Sequence, residues 1–106
     1  MRSRELYEIR ERVIRELRRL RDELGAEMYL FGSFARGTHL LNSDVDVIVV
    51  SERFRGMDVA DRVALVRLRL PRDLSFDIVP LTPEELKEKL NRSALIREAS
   101  KYWLKV

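Results

Sequence analysis

The stretch Val45-Asp46-Val47-Ile48-Val49-Val50 constrains the fold more than any other part of the chain. β-Branched residues at consecutive positions suit a strand covered on both faces, so this segment reads as a central strand with cover on each side. Charge in such a segment is costly unless something compensates it. Yet Asp44 and Asp46 stand at its start, and a second apolar run, Phe76-Asp77-Ile78-Val79, carries a third acid with no adjacent base. The second run predicts a buried strand, and a buried, unpartnered Asp77 would cost several kcal/mol or turn neutral.

The remaining elements arrange themselves around these two strands. Leu6, Ile9, Val13, Leu17, Leu20 and Leu24 recur at steps of three or four, predicting an amphipathic helix from Ser3 to Leu24 that Gly25 stops. Met28 to Phe31 reads as a short strand running into a Gly32-Ser33 turn, with a helical piece from Ser33 to Arg36. The central strand is expected over Asp44 to Val50, followed by a loop over Ser51 to Met57. A helix capped by Asp58 then uses Val59, Val63, Val66 and Leu70 and ends at Pro71, and a strand follows over Leu74 to Leu81. Thr82-Pro83-Glu84-Glu85 combines a cap, proline at the first helical position and glutamate at the third, a strong helix start. That helix is expected to end near Asn91, and Ser93 to cap a last one through Tyr102. The pattern predicts an α/β (α+β) fold: one domain over residues 1–106, with a small mixed sheet of three or four strands packed with helices.

Composition excludes several classes. Hydrophobic residues make up 45% and charged residues 37% of 106, which fits a compact soluble domain and not a disordered chain. No apolar run approaches the roughly 20 residues of a membrane span, and the charged N-terminus is unlike a signal peptide. No cysteine is present to form a disulfide or thiolate metal site, so a cytoplasmic protein without a membrane role is expected. Of 21 basic residues 17 are arginine, many of them among glutamates in the first helix. Such interleaving reads as a solvated, salt-bridged face, and nucleic acid is not expected as a partner. His39, the only histidine, reads as an incidental exposed loop residue, and Arg53 and Arg55 as a solvated pair. Tyr102 and Trp103 are expected to pack on the core.

The acids and the turn suggest chemistry together. Side chains alternate along a strand, so Asp44 and Asp46 share a face, roughly 6 to 7 Å apart along the backbone. That spacing lets two carboxylates converge on a hard cation such as magnesium, and Asp77 can join them from a neighbouring strand. Gly32 removes a β-carbon so that phosphate oxygens can approach the backbone, and Ser33 can open a helix turn toward an anion. Each piece also has an ordinary explanation: a capped turn, or an ion pair between Asp46 and Arg36.

The run Gly32-Ser33-Phe34-Ala35-Arg36-Gly37, six intervening residues and Asp44-Val45-Asp46 resembles the signature of the DNA polymerase beta-like nucleotidyltransferase superfamily. The small size and the Ala-Arg-Gly extension are most similar to its minimal nucleotidyltransferases, often partnered with HEPN-domain proteins. The resemblance implies that Gly32 and Ser33 hold the triphosphate and that Asp44 and Asp46 bind two magnesium ions. Asp77 would complete one metal site and help activate the acceptor, while Arg36 would contact phosphate or brace the turn through an ion pair. It further implies transfer of AMP from ATP to a hydroxyl, a tyrosine of a HEPN-type toxin, by an antitoxin. Neutralisation by complex formation alone, or transfer to a small molecule or RNA, are the alternatives. So small a chain should borrow part of its site from a partner or from another copy of itself.

Overall fold

In the computed structural model, which describes residues 3–106, four strands form one mixed sheet between two layers of helices. Helix α1 (Arg4–Leu24) precedes strand β1 (Glu27–Phe31), a one-turn helix α2 (Gly32–Arg36) and strand β2 (Val45–Val50). Helix α3 (Val59–Arg67), strand β3 (Phe76–Leu81), helices α4 (Pro83–Arg92) and α5 (Ala94–Ser100) and strand β4 (Leu104–Lys105) follow. The sheet order is β3-β2-β1-β4, with β2 and β3 parallel and the other pairs antiparallel. This is the expected α/β class, and the valine-rich strand is central.

The apolar residues of β2 supply both faces. Val45, Val47 and Val49 join Val13, Leu17, Leu20 and Val66 in one cluster beneath α1 and α3. Ile48 and Val50 join Tyr29, Phe31, Leu81, Ile96 and Ala99 in a second cluster beneath α4 and α5. Asp46 and Asp77 alternate with Val47 and Ile78, so both belong to the α4–α5 face.

Local chemistry accounts for most boundaries. The Ser3 side chain accepts the Leu6 N–H at 3.3 Å, and Gly25 ends α1 with φ 58°. Thr82 and Glu85 form a reciprocal capping box at α4. Arginines on α1 pair as expected, with Glu8, Glu16, Glu23 and Asp22, and Arg12 reaches Asp73. Arg55 likewise pairs with Glu52 and Glu84 in solvent.

Several expectations are corrected. Helix α3 ends at Arg67, and its buried positions are Arg62 and Val66, while Val59 is 62% exposed. Arg62 can be buried because its guanidinium donates to Met57 O at 2.9 Å, Pro80 O at 3.3 Å and Glu85 Oε1 at 2.6 Å. Strand β3 begins at Phe76, two residues later than expected, and Asp77 is exposed, because the mouth of the sheet is open there. His39 is buried and not exposed: the Gly37 turn folds its loop onto α1, where Nε2 lies 2.7 Å from Leu6 O and the ring stacks on Phe34. Strand β4 was not located by the sequence pattern, since two residues carry no periodicity. It pairs with Tyr29 and Leu30, and Trp103 just before it stacks on Tyr29. No described helix is long and apolar enough to cross a membrane.

Candidate active site

Sheet register creates one rung of three residues. Phe31 at the end of β1 faces Asp46 near the start of β2, and Asp46 faces Asp77 near the start of β3. Paired residues on neighbouring strands project to the same face, so two carboxylates stand side by side at the sheet's mouth. Asp44 lies two residues upstream, exposed in the loop entering β2. Directly after Phe31 comes Gly32, with φ 68°. A β-carbon at Gly32 would overlap the Asp46 carboxylate, so contact as well as conformation favours glycine there. At Gly37, φ 76°, an added β-carbon would meet nothing within 4 Å.

This cluster is electrostatically unsatisfied. Partial burial pushes the Asp46 carboxyl above the usual aspartate range, with repulsion from Asp77 and then Asp44 adding to it. Among the described residues none of the three acids forms an ion pair. The Asp46–Arg36 pair considered from the sequence is not formed. Helix α2 also lacks a side-chain cap, whereas Ser3, Asp58, Thr82 and Ser93 cap α1, α3, α4 and α5. An uncapped helix start leaves N–H groups free for another acceptor.

Among the described residues no three acids or histidines are drawn together tightly enough to enclose an ion. Asp46 and Asp77 share a rung, while Asp44 is exposed in its loop. Even so, Asp46 senses both neighbours, and the donors are all carboxylate oxygens. Repelling oxygen donors without a base suit a hard divalent cation such as magnesium.

Sequence reasoning missed what anchors α2. Arg10 of α1 donates from Nε to Phe34 O at 2.6 Å and from Nη2 to Ala35 O at 3.4 Å, satisfying carbonyls of the short helix. A signal existed: Arg10 lies four residues after Leu6 and three before Val13, a cation on the apolar stripe. Arg36 rests over the Tyr102 ring at 4.0 Å, and among the described residues it forms no ion pair, so the bracing ion pair weighed from the sequence is not made.

A family model, the nucleotidyltransferase domain, matches residues 10–103, which includes the turn and all three acids. No curated protein sequence shows significant similarity to the chain. A crystal structure of a candidate nucleotidyltransferase from Sulfolobus solfataricus is similar, with TM-score 0.62 and 25% identity over 82% of each chain. A toxin-antitoxin crystal structure with AMP-PNP shares the fold, with TM-score 0.60 and 23% identity, covering 86% of this chain and 69% of the other. The open rung of acids beside an uncapped glycine turn thus lies within a recognised domain, and the chain belongs to the nucleotidyltransferase domain family.

Proposed function

We propose that the chain transfers AMP from ATP to a hydroxyl of a partner protein, a tyrosine of a HEPN-type toxin, and so acts as an antitoxin. The observation that carries this reading is the rung itself. Asp46 stands in register with Asp77, Gly32 is seated on the Asp46 carboxylate, and among the described residues no base pairs with the acids. Asp44, Asp46 and Asp77 would hold magnesium, two ions in the full set. The chemistry such a cation would supply there is neutralisation of the triphosphate and of the leaving pyrophosphate.

The protein's own groups do the rest. The free N–H groups at the start of α2 and the Ser33 hydroxyl receive triphosphate oxygens beside Gly32. Arg36 braces α2 through Tyr102. The Asp77 carboxylate takes the proton of the acceptor hydroxyl as its oxygen bonds to the α-phosphorus. The bond between the α-phosphorus and the bridging oxygen breaks, and pyrophosphate leaves. Such a displacement depends on alignment and electrostatics and needs no covalent nucleophile. AMP-PNP is an ATP analogue, and its presence in a similar toxin-antitoxin structure supports an adenine nucleotide as the substrate and a toxin as the partner.

Incubation of the purified chain with labelled ATP, magnesium and the protein encoded beside it tests the proposal. Label is expected on the neighbour protein and not with an Asp44→Asn/Asp46→Asn variant. Equal labelling by that variant contradicts the reading. Neutralisation of the neighbour that survives loss of both acids would favour the second reading, inhibition by complex formation.

A further inference from the structure

Beside Asp77 a cavity of about 540 Å³ opens between the end of α3 and the segment before β3, its charged lining being Arg67, Arg72, Asp77 and Asp73, the last of these neutralised by Arg12. A second cavity of about 490 Å³ adjoins it along α3, sharing Arg67, Leu70 and Arg72 and lined otherwise by Ala60, Val63, Ala64 and Leu68. The two form one groove from the acid rung onto an apolar pit. Leu68, on that pit, is 79% exposed, the most exposed large apolar residue among those described. The joining arginines carry uncompensated charge: among the described residues neither Arg67 nor Arg72 is in an ion pair. Arg67 spends one N–H group on Phe76 O at 3.0 Å, which fixes it at the root of β3 one residue before Asp77. Arg12, which borders the same cavity through its partner, is by contrast already spent on Asp73, at 2.6 and 2.9 Å.

We propose that this groove seats the acceptor as an acidic, amphipathic segment of a partner protein: a carboxylate on Arg67 and Arg72, an apolar side chain in the Leu68 pit and the reacting hydroxyl at Asp77. Charge complementarity selects the acidic occupant, and the aliphatic pit selects protein over nucleic acid. A single-stranded nucleic acid would need aromatic platforms for its bases, and Ala60, Val63, Ala64 and Leu68 offer none. The inference rests on the transfer reading for Asp77, but the groove can be tested by binding alone.

The experiment measures binding of the neighbour-encoded protein by calorimetry in an Asp46→Asn background, where no transfer occurs, with and without Arg72→Glu or Leu68→Glu. Both changes are at exposed positions, and circular dichroism melts verify the fold. Each substitution is expected to weaken binding at least tenfold. The salt dependence of affinity should flatten for Arg72→Glu, since a screened charge contact is gone. With Asp46 restored, the same substitutions should raise KM for the acceptor and leave KM for ATP unchanged. Affinity within twofold of the parent for both variants overturns the proposal, as does no binding by the parent. It is also overturned if Arg72→Glu raises KM for ATP, which would give the arginine to the nucleotide, or if it abolishes binding of a single-stranded RNA 20-mer while protein binding persists. Failure of the transfer reading shows separately, as absence of label on a neighbour protein that still binds.

Discussion

The two ends of the sheet solve the same local problem in opposite ways. At the far end β3 runs into α4, whose start is closed by the Thr82–Glu85 capping box, and the nearby Arg62 is met by two carbonyls and by Glu85. At the mouth β1 runs into α2, whose start has no side-chain cap, and among the described residues Asp46 has no basic partner and is repelled by Asp77 and Asp44. A chain that completes one end from its own residues and leaves the other unpaired marks the open end as the place for a ligand. The lesson is physical: uncompensated charge costs stability, and it persists where binding offsets the cost.

That contrast can be broken from either end. Arg62→Met should have the largest effect on folding, about 2 to 3 kcal/mol, because it orphans two carbonyls and the Glu85 carboxylate. Urea denaturation measures it, and transfer per folded molecule should be unchanged. Gly32→Ala should cost about 1 to 3 kcal/mol from the left-handed conformation and the Asp46 contact, and should lower transfer as well. Gly37→Ala has the same conformational penalty, about 1 kcal/mol, but no clash, and should keep transfer largely intact. The paired stability and activity assays separate the two glycines.

The smallest effect is in pH dependence, where the ends have opposite signs. Arg62 holds the Glu85 carboxyl below its usual range, so its contribution is complete above the ordinary glutamate pKa, about 4.3, and is lost as pH falls through the depressed value. Asp46 is raised, so its folded form binds protons more readily, and stability falls as pH rises through and beyond the ordinary aspartate pKa, about 3.9. Melting curves across acid pH should therefore lose part of their rise in Glu85→Gln and part of their fall in Asp46→Asn.

The closed end was largely legible in the sequence and the open end partly so. Thr82, Pro83 and Glu85 act within one helical turn, so their spacing alone predicts the cap. Val45 to Val50 announces a central strand by composition, and Gly32, Asp44, Asp46 and Asp77 stand out by spacing and by charge in apolar runs. What escaped depends on contacts remote in sequence. Arg62 is buried only because Met57, Pro80 and Glu85 converge on it, and His39 only because Gly37 turns its loop onto Leu6. Asp77 looked buried because its neighbours are apolar, but register sets it at the open end of an edge strand.

The most direct test of the central claim is the melting temperature of the wild-type chain and of Asp46→Asn, measured at neutral pH against magnesium concentration with ATP present. Without magnesium the variant is expected to melt higher, because repulsion on the rung is relieved. Added magnesium should raise the wild-type melting temperature and leave the variant unmoved. A wild-type chain indifferent to magnesium, or a variant stabilised equally, would contradict the assignment of the unpaired acids to a cation and its nucleotide.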